Sequence, residues 1–404
     1  MRRRHLLQSL ASAPLALGAA RLWAADAASA SATPRFLLVF LRGAYDAANL
    51  LVPHASPFYY EARPNIAVPA PGAAGLAATA LDASWALAPA VAQSLGPLWD
   101  KGQLAFVPFA GCADTSRSHF ETQDRIELGQ ADEGARDFRS GFMNRLALVL
   151  GANAGASRLE AMAFTDQVPL VLRGSLPVAN QALRELGKPG ISAAQAKAIE
   201  RMYAGTRLAT TVSGGFEVRD EVAREMVGEM EAASRNAIGS KGFALEARRI
   251  ARLMRERVTL GFIDVGGWDT HVAQGGASGT LAGKFTELGQ GLATFAEEMG
   301  PQWANTTVVV LSEFGRTFRE NGNRGTDHGH GSAYWVLGGG VRGGRIVGEQ
   351  VALSPATLFQ GRDWPVLNDY RAVLGGLFAR QWGLSPAQLD AVFPGAGPRD
   401  LGLL

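Results

Sequence analysis

The run Thr306–Leu311, Thr-Thr-Val-Val-Val-Leu, constrains the fold more than any other feature of this chain. Its β-branched residues favour extended backbone. Its near-continuous apolarity marks a strand buried on both faces, as in a parallel sheet covered by helices on either side. Four further runs share its length and character: Arg35–Leu41, Gln103–Phe109, Leu159–Phe164 and Thr259–Val265. Helical patterns lie between them. Leu281–Met299 places Leu281, Phe285, Leu288, Leu292, Phe295 and Met299 three or four apart, which gives one apolar stripe. Ser118–Leu128 reads as a second helix, and Asp369–Trp382, stopped by Gly383, as a third. Strands alternating with helices predict an α/β fold with a mostly parallel central sheet. Ile191–Arg257, rich in Ala, Glu and Arg, reads as a helical insertion (191–257) within one domain spanning residues 34–404.

The chain opens differently. Arg2, Arg3 and Arg4 precede a short apolar stretch, Leu6–Leu17, and small-x-small sites follow at Ala25-Asp26-Ala27 and Ala28-Ser29-Ala30. That order predicts a cleaved export signal over residues 1–27. The paired arginines, with Arg21 behind the apolar stretch, predict the twin-arginine route and so a periplasmic or secreted protein. Gln8, Ser9, Pro14 and Arg21 interrupt the stretch, whereas a membrane span needs about 20 apolar residues, and no later segment is apolar enough to span. The whole chain carries 39 basic and 37 acidic residues; loss of Arg2, Arg3, Arg4, Arg21 and Asp26 leaves 35 against 36. The basic isoelectric point therefore belongs largely to the signal. No clustered basic face points to nucleic acid. The single cysteine, Cys112, cannot form an intrachain disulfide and reads as a small buried residue.

Polar residues gather just after the strands, where α/β sheets collect ligands and chemistry. Asp46, beyond the first strand, suits a cation or a helix cap. After the second come Cys112, Arg117, Ser118, His119 and Glu121. Ser118 and Glu121 form a capping box, yet the same helix N-terminus favours an alkoxide at Ser118 and an anion beside it, which Arg117 could clamp. Asp269 and His271, two apart in Gly-Gly-Trp-Asp-Thr-His, can face one cation from extended backbone; oxygen-plus-nitrogen ligation suits zinc or manganese. Glu313 and Arg316 follow the buried run directly, as a structural ion pair or as part of a site. Gly325–Gly331 holds Asp327, His328 and His330 on a permissive backbone, which suits ligation or substrate contact.

Leu41–Pro53 (LRGAYDAANLLVP), Arg117–Gly129 (RSHFETQDRIELG), GGWDTH, SEFGRT and GTDHGHGSAYWVLGGGVRGGRIVGE, together with the export signal, resemble the exported bacterial family catalogued as domain of unknown function 1501. The resemblance runs from Phe36 to about Phe393. That family is similar in fold to the alkaline phosphatase and sulfatase superfamily. The resemblance implies a divalent metal, zinc or manganese, held by Asp46, Asp269, His271, Glu313 and His328. It also implies a Ser118 nucleophile. On a small anionic phosphate or sulfate ester, Arg117 or Arg316 would then stabilise charge on the transferred group. Three departures stand beside it. Phe314 takes the place of a ligating histidine, the earlier pair is Asp-x-His rather than Asp-x-x-x-His, and Cys112 lacks the Pro-x-Arg that sulfatases need. The alternative is a relative that binds a ligand or partner without catalysis, having lost the second metal site.

Overall fold

The computed structural model describes residues 33–131, 136–153, 160–183, 193–216 and 242–404. The export signal expected over 1–27 lies outside the described residues, as do Leu159 and the middle of the 191–257 segment. The strands are β1 (Arg35–Leu41), β2 (Leu51–Val52), β3 (Thr79–Ala80), β4 (Ala86–Leu87), β5 (Leu104–Gly111), β6 (Ala161–Ala163), β7 (Ala179–Asn180), β8 (Leu260–Val265), β9 (Thr306–Ser312), β10 (Ser332–Leu337), β11 (Arg345–Ile346) and β12 (Asn368–Asp369). The helices used below are α1 (Pro57–Ala62), α2 (Pro89–Asp100), α3 (His119–Leu128), α4 (Phe142–Asn153), α5 (Ala193–Tyr203), α6 (Phe243–Glu256), α7 (Thr280–Met299), α8 (Tyr370–Trp382) and α9 (Pro386–Val392).

The central sheet runs β11-β5-β10-β9-β1-β8-β6-β7, with β12 also on β5. Every pairing is parallel except those of β10, which is antiparallel to both β5 and β9. The α/β class and the mostly parallel sheet are those the alternating pattern predicts. β1 shows why both faces are covered. Leu37, Val39 and Leu41 enter one apolar core, and Phe36, Leu38 and Phe40 enter the other, following the two-residue alternation of a strand. The first core is roofed by α2, α6 and α7, and the second by α3, α4, α8 and α9. Leu281, Phe285, Leu288, Leu292 and Phe295 of α7 all lie buried in the first, each contributing roughly 1.5–3 kcal/mol of gross burial. α6 lies along α7, where Gly291 leaves room for the Phe243 ring.

The register positions the site. Leu41 of β1 pairs with Val265 of β8 on one side and Ser312 of β9 on the other, so three strands end level. β10 runs the opposite way, and its first residue, Ser332, pairs with Ala110 near the end of β5. The loops after β1, β5, β8 and β9, and the loop before β10, therefore emerge along one edge of the sheet.

Candidate metal centre

Three imidazoles and one carboxylate from those loops meet at one point. His119 opens α3, with Ser118 as N-cap; Asp269 and His271 follow β8; His328 precedes β10. His328 Nε2 stands 2.9 Å from His119 Nε2 and 3.1 Å from His271 Nε2. Asp269 Oδ1 is 2.8 Å from His271 Nε2 and 3.2 Å from His328 Nε2, and Asp269 Oδ2 is 3.5 Å from His119 Nε2. The ligand atoms of His119, Asp269 and His328 all lie within 4.8 Å of one another.

The far side of each ring decides what this convergence can do. His119 Nδ1 lies 2.8 Å from Glu313 Oε1, His271 Nδ1 3.1 Å from Asp327 Oδ1, and His328 Nδ1 3.0 Å from the Arg117 carbonyl. Carboxylates and a carbonyl can only accept, so each Nδ1 carries the hydrogen. In the neutral rings all three Nε2 atoms then present lone pairs to one another and to a carboxylate. Such a set repels itself unless a cation sits among its members. A donor set of nitrogen and oxygen, each imidazole steered by an oxygen behind it, is the arrangement of transition-metal sites. The residues present therefore fit a divalent metal ion.

Local electrostatics follow from these contacts. The bond to Glu313 raises the His119 pKa above the usual imidazole range, against the pull of partial burial. Burial and the neighbouring His119 lower that of His328. Glu313 is fully buried, which by itself would raise its pKa. Bonds from His119, Gln123 and Ser312 outweigh burial and hold it below the ordinary value. Burial likewise opposes the ionisation of Asp269, but the Arg316 guanidinium beside it prevails and holds the pKa low. Asp327 is lowered first by its bond from Asn321. Asp269 and His271 keep 40% of their side-chain surface, so solvent reaches the centre.

Glycines let the loops close on one another. Gly43 has φ +113, its N–H donates to Glu313 Oε1, and a Cβ there would crowd the Asp269 and Trp268 backbone. A side chain at Gly325 would run into the His271 backbone, and one at Gly329 into that of Arg316.

Of the residues the sequence nominated, Asp269, His271 and His328 come together. Glu313 stands behind His119 as the acceptor of its Nδ1–H rather than at the centre. Asp46 requires a correction. It is buried, and its two oxygens take Arg63 Nη1 at 2.5 Å and Nη2 at 3.0 Å, with Gln274 Nε2 at 2.7 Å. Arg63 also donates to Asn49, Phe318 and Thr317, which uses all five of its N–H groups. A guanidinium thus holds the charge that a cation would have met. Arg316 is likewise occupied: Nη1 lies 2.5 Å from Asp269 Oδ1, Nε 3.1 Å from Thr326 Oγ1, and Nη2 bonds the Thr326 carbonyl. The Arg117 side chain turns to Asp363 and Gln360. Both arginines thus bind protein partners through these groups. Ser118 caps α3, with Glu121 N at a long 3.5 Å from its Oγ. His330 is buried with its ring 4.5 Å from that of Phe359, and Cys112 lies in the second core. His119 is the residue the sequence reading left without a role. Its signal was its place beside Ser118, at the start of a helix just past a strand end.

The model of the family of proteins of unknown function DUF1501 matches residues 33–393, nearly all of the described chain. This chain belongs to that family. No curated protein matches it. The solved structures it is similar to include Ps i-CgsB in complex with k-i-k-neocarrahexaose, at 10% identity and a TM-score of 0.38, over 90% of this chain and 75% of that one. They also include a protein in the alkaline phosphatase superfamily from Vibrio parahaemolyticus, at 9% identity and a TM-score of 0.34. There the match covers 76% of this chain and 60% of the other, so this chain spans less than two thirds of that relative. No helix among the described residues is long and apolar enough to cross a membrane.

Proposed function

We propose that this protein is an exported, metal-dependent hydrolase of phosphate or sulfate esters, with one divalent ion held by His119, Asp269, His271 and His328. The observation that carries the proposal is the tautomer logic: three Nδ1–H groups committed to Glu313, Asp327 and the Arg117 carbonyl leave three Nε2 lone pairs facing one carboxylate. A zinc or manganese ion bound there supplies Lewis acidity toward an ester oxygen. Arg316 offsets the charge of Asp269 and fixes its orientation. Ser118 Oγ, at the N-terminus of α3 and one residue before His119, is held only by a long capping bond and is the nucleophile in this reading. It forms the new bond to phosphorus or sulfur as the ester's bond to its alcohol breaks, and the departing alcohol takes the serine proton. Water then releases the acid.

Elemental analysis of natively exported protein tests the metal, with one zinc or manganese ion per chain expected; none bound, together with thermal stability indifferent to chelator, refutes it. Aryl phosphate and aryl sulfate turnover tests the chemistry. Ser118→Ala is expected to keep the metal and lose turnover. A variant that still turns over refutes the serine role. The binding of Asp46 by Arg63, which leaves one cation cluster among the described residues, favours a second reading, a ligand-binding relative without catalysis. Metal-loaded protein inert on both esters would support that reading.

A further inference from the structure

The Arg117 backbone is unusual. It holds φ +52, in the left-handed region that few non-glycine residues occupy, and its carbonyl is the acceptor that orients His328. Its side chain shows what keeps it there. Nε and Nη2 reach Asp363 Oδ2 at 3.1 and 2.8 Å, and Nη2 reaches Gln360 Oε1 at 2.7 Å. The Asp363 carboxylate is fully buried, and it also accepts from Arg362. Its backbone bridges Phe359 and Thr317. Thr317 in turn receives the Asp327 amide on its hydroxyl and gives its own amide to the Asp327 carbonyl. Asp363 therefore lies beneath both loops that bring ligands: Ser116–His119 through Arg117, and Asp327–His328 through Thr317.

We propose that Asp363 is a positioning residue for the metal centre. By gripping Arg117, it sets the carbonyl that fixes the His328 tautomer and sets where His119 begins α3. The proposal rests on the metal reading above. Two guanidinium N–H groups converging on one charged carboxylate oxygen hold the arginine more tightly than a single contact does, and partners standing behind metal ligands typically control affinity by 10–100-fold.

Asp363→Asn in the full chain tests it, because the amide keeps the shape and weakens the grip. Two readouts are used. In metal-free protein, nitrogen-15 NMR of labelled histidine, assigned with His328→Gln, is expected to show His328 as the Nδ1–H tautomer in the parent and as a mixture in the variant. In a Co2+ titration the variant is expected to bind at least about tenfold more weakly, with an altered visible spectrum. A merely structural Asp363 would lower the melting temperature in chelator and leave both readouts unchanged in the folded protein, which overturns the proposal. Should Asp363→Asn fail to fold, Arg117→Lys keeps the charge and loses the two-point grip; an unchanged tautomer and Co2+ affinity there overturns it equally. Should the parent bind no Co2+, the metal reading falls and the NMR comparison alone decides the role of Asp363.

Discussion

Glu313→Gln separates a carboxylate that tunes a metal ligand from one that merely fills the core. Oε1 of Glu313 accepts from Gly43 N at 2.8 Å, His119 Nδ1 at 2.8 Å and Gln123 Nε2 at 2.9 Å, while Oε2 accepts from Ser312 Oγ at 2.8 Å. A glutamine can meet this pattern. Its carbonyl faces the three donors, and its amide faces Ser312, whose own proton can stay on the Leu41 carbonyl. Folding should survive, since a buried charge is removed and no donor loses its acceptor. Glu313→Ala would instead strand several buried donors at about 1–3 kcal/mol each. The charge behind His119 is what the glutamine takes away. Losing such a partner typically costs 10–100-fold in metal affinity, or about 1.4–2.7 kcal/mol. Competition titration of zinc against a calibrated chelator measures the affinity, and thermal unfolding in excess chelator measures the metal-free fold. The expected result is weakened zinc with the metal-free melting temperature within a few degrees of the parent. Zinc held as tightly as in the parent would refute the argument that Glu313 steers His119 toward a cation.

Asp46→Asn should cost roughly 3–5 kcal/mol of stability, as breaking a buried ion pair does, and yet leave one metal per folded chain; loss of the metal on elemental analysis would return Asp46 to the ligand set. Metal should stabilise the protein more as pH rises from about 5 to 8, because loading requires neutral imidazoles. In the metal-free protein the raised pKa of His119 contributes stability below the ordinary histidine value of about 6.5 that is lost as pH rises through the folded-state value, while the lowered pKa of His328 acts with the opposite sign. Melting curves with and without zinc from about pH 5 to 8 check both slopes, and parallel curves would contradict the assignment. Arg3→Lys with Arg4→Lys should strand the uncleaved precursor in the cytoplasm, as cell fractionation would show; unchanged export would remove the twin-arginine reading.

The strands were legible because burial on both faces leaves no room for polar residues. Arg35–Leu41 and Thr306–Leu311 advertise a covered sheet by composition alone, and β1 spans the predicted residues. The helix at Leu281–Met299 was equally plain, since its stripe faces a single core. At the site, the strand-end rule brought Asp269, His271 and His328 into view together. It could not separate centre from surroundings, because a carboxylate just past a strand end has the same sequence appearance whether it faces a cation or a guanidinium. What captures Asp46 is Arg63, the C-cap residue of α1, seventeen positions on and in no motif. Asp363 likewise sits in an irregular segment with no periodic signal. Ser118 drew attention from His119 because a capping box is recognisable by spacing, whereas an imidazole's direction depends on how the helix meets the sheet.

Asp269 lies against Arg316 and Asp46 against Arg63, while Glu313 and Asp327 accept from the Nδ1–H groups of His119 and His271. Two of those partners are guanidiniums, which stay protonated at any physiological pH and cannot leave as an ion can. The Asp46 position is therefore taken by a fixed cation, whereas the Nε2 atoms of His119, His271 and His328 converge beside Asp269. Asp269 is exposed and His271 keeps 40% of its side-chain surface, so this convergence meets solvent, whereas Asp46 is buried. In the proposed reading, an ester entering from solvent would meet a metal held by these loops, with Ser118 at the N-cap of α3 as the nucleophile.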